Sequence, residues 1–477
     1  MTEPGRNQRA DGIAGADGGA DGDDGRGGMP RRGRIARHRY LVAVVDGGGN
    51  VPPELGVVRR LLARGHDVTV LAEDSVAAEV GATGAEPLRW RHAPNRRDRR
   101  PENDPCRDWE CRYPWQLVDR LVKTVLVGPA AGYAHDVGDV ITETRPSAVL
   151  CSMFCVGGMI AAEAAGIPFV VVLPNIYPLP AEGMPAFGIG LAPARGRLGR
   201  WRDRVVNALI EHQWDAKGLS GLNELRRQYG LSPLPHLLDQ VRSANRQLVL
   251  TAREFDFAAA LPPGARYVGP VLDDPAWAET ETPWTPPLAP LSSDAPLVLV
   301  AMSSTFQDQR GCLQRVIEAL AKLTVRAVVT TGPAIDPADL NPPENVTVVR
   351  SAPHRQVLEH TALVITHGGH GTVMKALAAG VPLLLMPHGR DQPDTAARVV
   401  TRGAGITLKR TARPAAIASA ASRVLEMGSY RAAAQRLGEV VRREAGSDAL
   451  VRELEEIPDY GASGLMPPMS SSMRYIT

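Results

Sequence analysis

The stretch from Leu363 to Gln392 constrains the fold more than any other. Leu363-Val-Ile-Thr366 is an apolar, β-branched run short enough for a buried strand. It stops at His367-Gly-Gly-His-Gly371, where glycines permit backbone geometry closed to other residues. Thr372 then opens an apolar helix, Val373 to Ala379, which Gly380 ends. A second buried strand begins at Val381 and stops at Pro387. Two strands with no polar alternation, joined through a helix, form a βαβ unit of a parallel sheet covered on both faces. The glycine turn feeds a helix N-terminus, whose free N–H groups and dipole favour an anion. His367 and Thr372 add side-chain donors, and Asp391-Gln392 follows the next strand into the same crevice.

A second unit lies near the start. Tyr40–Val45 reads as a strand, Asp46–Pro53 as a glycine turn, Glu54–Arg64 as a helix ended by Gly65, and Asp67–Ala72 as the next strand. This opens another doubly wound sheet. Between the units, the Pro-, Thr- and acid-rich residues 273–296 are too polar for a core and read as a linker. The expected domains are 38–272 and 297–448, with a helix over 449–457. Residues 1–37 have too few large apolar side chains to order, and Met29 within them is an alternative start. Residues 458–477 read as a disordered tail. Gly199–Tyr229 is a long helical region with a break expected at Gly218.

Composition excludes several classes. Acids and bases nearly balance, at 52 and 54, which implies no nucleic-acid partner. No apolar run approaches the roughly 20 residues of a membrane span, and no signal-peptide core stands at the N-terminus. The cysteines, Cys106, Cys111, Cys151, Cys155 and Cys312, are odd in number and scattered. They suggest a reducing cytoplasm and match no zinc spacing, so no metal is expected.

The full motif is His-Gly-Gly-x-Gly-Thr (367–372), a helix ending in Ala-Ala-Gly-Val-Pro (378–382), and Pro387-x-x-x-Asp391-Gln392. It resembles the C-terminal nucleotide-sugar motif of the two-domain inverting glycosyltransferases related to UDP-glucuronosyltransferases (family 1), especially the actinobacterial enzymes that glycosylate natural products. The resemblance spans roughly Tyr40 to Ala449. It implies the GT-B architecture, two Rossmann-like domains facing across a cleft. It also implies transfer of a sugar from a dTDP- or UDP-linked donor to a small natural-product acceptor, with inversion, and no cofactor beyond the donor. On that resemblance His367, Gly368, Gly369, Gly371 and Thr372 hold the diphosphate, helped by Thr305 and Ser303 after the strand Leu297–Met302. Ser351 lies at the nucleobase loop, and Asp391 and Gln392 contact sugar hydroxyls. The last helix crosses back to the first domain. The loops around residues 90–115, 173–180 and up to Pro193 cover the acceptor.

Two departures from the family pattern stand out. The family's first loop carries a histidine that deprotonates the acceptor, oriented by an aspartate. Here Asn50 and Ser152 occupy those positions, and an amide is no general base. That implies another base, an acceptor acidic enough to need none, or lost catalysis; Asn50 is expected to position the acceptor and Asp46 to deprotonate it, with His135 and Asp136 as further candidates. Lys375 replaces a glutamate that accepts from both ribose hydroxyls; lysine only donates. That loss matters less for a deoxyribose, which favours a dTDP-deoxysugar. The missing dyad also fits an alternative, a non-catalytic auxiliary protein that activates a partner glycosyltransferase. A nucleotide-sugar 2-epimerase of the same fold is a weaker reading, and a homodimer is compatible with all three.

Overall fold

The computed structural model describes residues 37–275, 278, 284–285 and 294–457. The expected N-terminal extension up to residue 36, the tail after 457 and most of the linker lie outside the described residues. The first half forms a seven-stranded sheet. Its strands are β1 (Arg39–Ala43), β2 (Asp67–Ala72), β3 (Pro87–Arg89), β4 (Ala148–Ser152), β5 (Phe169–Leu173), β6 (Arg246–Val249) and β7 (Ala265–Tyr267). Their order is β3-β2-β1-β4-β5-β6-β7, and each pairing is parallel. The second half forms a six-stranded parallel sheet from β8 (Leu297–Ala301), β9 (Arg326–Thr330), β10 (Val346–Val349), β11 (Thr361–Thr366), β12 (Leu383–Leu385) and β13 (Gly405–Thr407), in the order β10-β9-β8-β11-β12-β13. This is the GT-B architecture.

Side-chain alternation explains why both sheets are buried on two faces. Along β1, Leu41 and Ala43 join one apolar cluster, while Tyr40 and Val42 join the other. Along β8, Leu297, Leu299 and Ala301 alternate in the same way with Val298 and Val300. Each fully buried Leu or Val contributes on the order of 1.5–3 kcal/mol relative to exposure. In both sheets the strand order reverses beside the first strand, between β1 and β4 and between β8 and β11. Crevices open at the carboxyl ends of such strands, so the loops after these four strands carry the candidate site.

Three local expectations change. The first helix begins at Val51, with Pro52 and Pro53 inside its first turn. Proline suits that position because its missing N–H would have had no partner there. Asn50 is thus the residue before the helix, and Glu54 lies in the first turn. The helix after β11 begins at His370 rather than Thr372. The long helix Gly196–Gln228 runs unbroken. A Cβ at Gly218 would sit 2.8 Å from Leu237 and 3.1 Å from Val122, so this glycine admits close packing rather than a break.

The chain crosses between halves more than once. The helix Ala449–Glu455 returns to the first half, where Leu450 and Leu454 enter the Tyr40 cluster and Tyr40 donates to the Leu454 carbonyl at 3.2 Å. Asp273 binds Arg59 and Arg60 of the first helix, at 2.9 and 3.1 Å. The next residue, Asp274, pairs instead with Lys375 of the second half at 2.6 Å and accepts from the Arg355 N–H.

Candidate active site

The loops after β1 and β8 meet across the crevice. Gly48 has φ +88°, and a Cβ there would lie 2.3 Å from the Thr305 methyl. Only glycine allows both the turn and the approach.

Beneath this contact, Asn50 is locked. Its Oδ1 accepts from Gly47 N at 2.9 Å. Its Nδ2 donates to the Val45 carbonyl at 2.9 Å and to Glu54 Oε1 at 3.0 Å, with Ser152 Oγ at 3.5 Å. The two substituted positions, Asn50 and Ser152, therefore do come together, with Glu54 as a third member. Asn50 is buried, and its amide bonds its own loop, Glu54 and Ser152. Asp46 is enclosed as well. It accepts from Gly48 N and Ser75 and pairs with Arg96 and Arg99. Burial pushes its carboxyl up, but the Arg99 and Arg96 charges outweigh this and hold it below the usual range, which makes a poor base. Asp136 accepts the backbone N–H groups of Arg91, His92 and Ala93 and so anchors that loop. His135 is exposed beside Asp139. Neither is bonded to the Asn50 cluster.

Glu54 escaped the sequence reading because an acid in a first helical turn is ordinary. Burial pushes its carboxyl up to about 8, against the hydrogen bonds from Asn50 and Ser152. Its Oε2 is buried without a partner. The fold holds this proton more tightly than the unfolded chain does. The stabilisation is therefore complete below about pH 4.5 and is lost as pH rises through about 8. Glu54→Gln, which cannot ionise, should flatten the fall in melting temperature between about pH 5 and 8 and be the more stable protein at pH 9, by on the order of a few kcal/mol. A wild-type melting curve just as flat over that range would contradict the buried acid.

On the facing side, the turn after β11 gathers the groups expected to bind the diphosphate. Gly369 precedes the helix His370–Ala378, and Gly371 and Thr372 lie in its first turn. Gly368 N donates to Thr366 Oγ1 at 3.3 Å. The buried His367 ring contacts Thr366 Oγ1 at 3.3 Å and bonds to the Ala301 backbone. Burial, with His388 nearby, lowers His367 to about 3, so the ring is neutral. His370 reaches across to the Leu250 carbonyl at 3.2 Å. Burial also keeps it neutral, with its pKa lowered to about 4. Ser303 Oγ lies 3.1 Å from Thr305 Oγ1 and accepts from Thr305 N.

The remaining expected contacts divide. Asp391 precedes the helix Gln392–Thr401, half-buried in the crevice, and burial raises its carboxyl despite the nearby Arg390 and Asn175. Gln392 clamps its own loop. Its Oε1 accepts from His388 N and Gly389 N, and its amide meets Gln307. Ser351 is exposed beyond β10, with β9 between β10 and the β8 turn. Lys375 is held by Asp274 rather than left in solvent. Sequence reasoning missed Asp274, Asp108 and Arg390. Arg390 bonds Thr305 Oγ1 at 3.2 Å and Asp108 of the 90–115 loop.

Among the described residues no helix is long and apolar enough to cross a membrane. A family model described as "Erythromycin biosynthesis protein CIII-like, C-terminal domain" matches residues 314–457. The chain is 30% identical over 429 residues to the 4'-demethylrebeccamycin synthase of Lentzea aerocolonigenes, across 86% of this chain and 98% of that one. Among solved structures, the calicheamicin glycosyltransferase CalG4 is similar with a TM-score of 0.68 and 25% identity, covering 88% of this chain and 98% of its own. Spinosyn rhamnosyltransferase SpnG, complexed with thymidine diphosphate, shares the fold with a TM-score of 0.60 and 20% identity, over 88% of this chain and all of that one. A sheet pair with paired switch points, a glycine turn that opens a helix at the second of them, and a relative matched over nearly its whole length converge: the chain belongs to the natural-product glycosyltransferases of the GT-B fold.

Proposed function

We propose that the enzyme moves a deoxysugar from a dTDP donor to a small natural-product acceptor, with inversion and without a divalent metal. The observation that carries this reading is the anion-binding turn at 367–372, placed at one switch point and faced by Ser303 and Thr305. In the transfer, the bond between the anomeric carbon and the diphosphate oxygen breaks, and its electron pair stays on the nucleotide. The acceptor atom gives up its proton to solvent and bonds to the opposite face of the anomeric carbon. The transition state is oxocarbenium-like, as at other glycosyl centres. Preorganised donors at the turn stabilise charge that grows on the leaving diphosphate. Asn50 and Asp46 are both committed elsewhere, so the acceptor is one acidic enough to ionise without a histidine base.

The dTDP preference rests on Lys375. A side chain that only donates, and is already paired with Asp274, offers a ribose 2′-hydroxyl no acceptor. The thymidine diphosphate bound in the SpnG structure is in keeping with this choice. Calorimetric titration with dTDP and UDP, each with and without EDTA, tests both parts. The expected result is a severalfold preference for dTDP that EDTA does not change. Equal affinities would remove the deoxysugar reading, and binding that collapses in EDTA would remove metal independence. The comparisons give no support to the auxiliary-protein alternative.

A further inference from the structure

A leaving diphosphate brings more negative charge than the turn supplies. His367 is neutral, Thr305 and Thr372 are hydroxyls, and a helix N-terminus carries only about half a unit charge. Lys375 is already paired with Asp274. Among the described residues, the cation that a hydrogen bond brings to Thr305 is Arg390.

Arg390 has unusual features for a surface arginine. It takes φ +57°, a left-handed conformation uncommon for a non-glycine residue and often kept at functional sites. Its guanidinium is a fork closed on a carboxylate: Nε lies 2.5 Å from Asp108 Oδ2 and Nη2 lies 3.1 Å from Asp108 Oδ1. The remaining nitrogen, Nη1, donates to Thr305 Oγ1 at 3.2 Å and faces the Gly47 carbonyl at 3.5 Å. A fork that fits a carboxylate in two bonds also fits a phosphate. Asp108 comes from the other half of the molecule, on the short turn Asp108–Glu110, and its neighbour Trp109 packs edge-on against Phe306 with ring centres 5.1 Å apart. The 90–115 loop is therefore fastened to the second half beside the candidate donor site, by an ion pair whose cation also bonds Thr305 on the loop after β8.

We infer that Arg390 is the cation that receives the donor diphosphate, and that Asp108 is the counter-ion it gives up, so that donor entry unlatches the Asp108–Glu110 turn. The inference rests on the donor-site reading above. It assigns a leaving-group residue to the sequence between Pro387 and Asp391. It also couples the loop expected over the acceptor to occupancy of the donor site, because Asp108 neutralises the one positive charge that the diphosphate would draw on.

The two members of the pair then have opposite effects on binding. Arg390→Gln removes the receiving charge, and Asp108→Asn removes the competitor. Calorimetry of the full chain with dTDP, UDP and inorganic pyrophosphate separates them. Arg390→Gln should weaken dTDP and pyrophosphate by about tenfold to a hundredfold, and Asp108→Asn should tighten both severalfold. Arg390→Lys, which keeps charge without the fork, should fall between Arg390→Gln and the wild type. A static clasp would behave differently: Asp108→Asn would weaken binding alongside Arg390→Gln, and that result overturns the inference. So does a wild type whose nucleotide binding is lost in His367→Ala but unchanged in both Arg390→Gln and Asp108→Asn. A folded wild type that binds none of the three probes would instead overturn the donor-site reading itself, and this inference with it.

Discussion

His367→Ala should lower turnover by about 10²- to 10³-fold, the range for losing one preorganised donor at a site of developing charge. The reason lies in where the ring sits. It ends β11, at the switch point of the second sheet, and its Nε2 lies 2.6 Å from where a Cβ on Gly369 would stand. It is packed under the glycine turn that would hold the diphosphate. With its pKa lowered to about 3 by burial, the imidazole carries the same neutral donor across the whole working pH range. The loss should therefore be independent of pH between 6 and 9. dTDP calorimetry and product formation should fall together, while the melting curve keeps a single cooperative transition. Turnover within a few-fold of wild type would show that the turn does not bear on the reaction.

Arg398→Ala should be the most destabilising of the substitutions considered, at about 3–5 kcal/mol, because it strands a buried carboxylate. Arg398 Nε reaches Asp256 Oδ1 at 2.7 Å, with both side chains almost wholly buried. The carboxylate also accepts from Phe257 N, Tyr177 N and the Tyr267 hydroxyl. The guanidinium donates to the Asp394 carbonyl and stacks 4.2 Å from the Phe257 ring centre. Asp256 belongs to the first half and Arg398 to the helix Gln392–Thr401, so the pair pins that helix across the cleft. Pairing Arg398→Met with Asp256→Leu should recover much of the loss, since removing both charges also removes the stranded one. Chemical denaturation would measure this; a single variant as stable as wild type would mean that water or another cation satisfies Asp256.

The fold was legible because it depends on local signals. Apolar β-branched runs such as Leu363–Thr366, glycine turns and helix stops recur at βαβ spacing, and the switch points follow from strand order. The glycine turn after β11 was legible for the same reason, since strand, glycine and helix are adjacent in sequence. The first helix was misjudged by three residues because Pro52 and Pro53 read as turn, although proline is at home in a helix's first turn. The acceptor side was less legible. Asn50 and Asp46 looked available until their partners were seen, and Ser152, Arg96 and Arg99 lie far from them in sequence. Arg390 and Asp108 are separated by 282 positions, and no local pattern announces such a pair.

The two aspartates at the start of the linker have a practical consequence for recombining enzymes of this kind. Asp273 holds to Arg59 and Arg60, while Asp274 holds to Lys375. The peptide bond between them is the seam of the molecule. A chimera that joins this first half to a relative's second half keeps each carboxylate with its own cations only when the crossover falls there. One residue later, Asp274 faces a foreign side chain at position 375; one residue earlier, the first helix's arginines lose their shared acid.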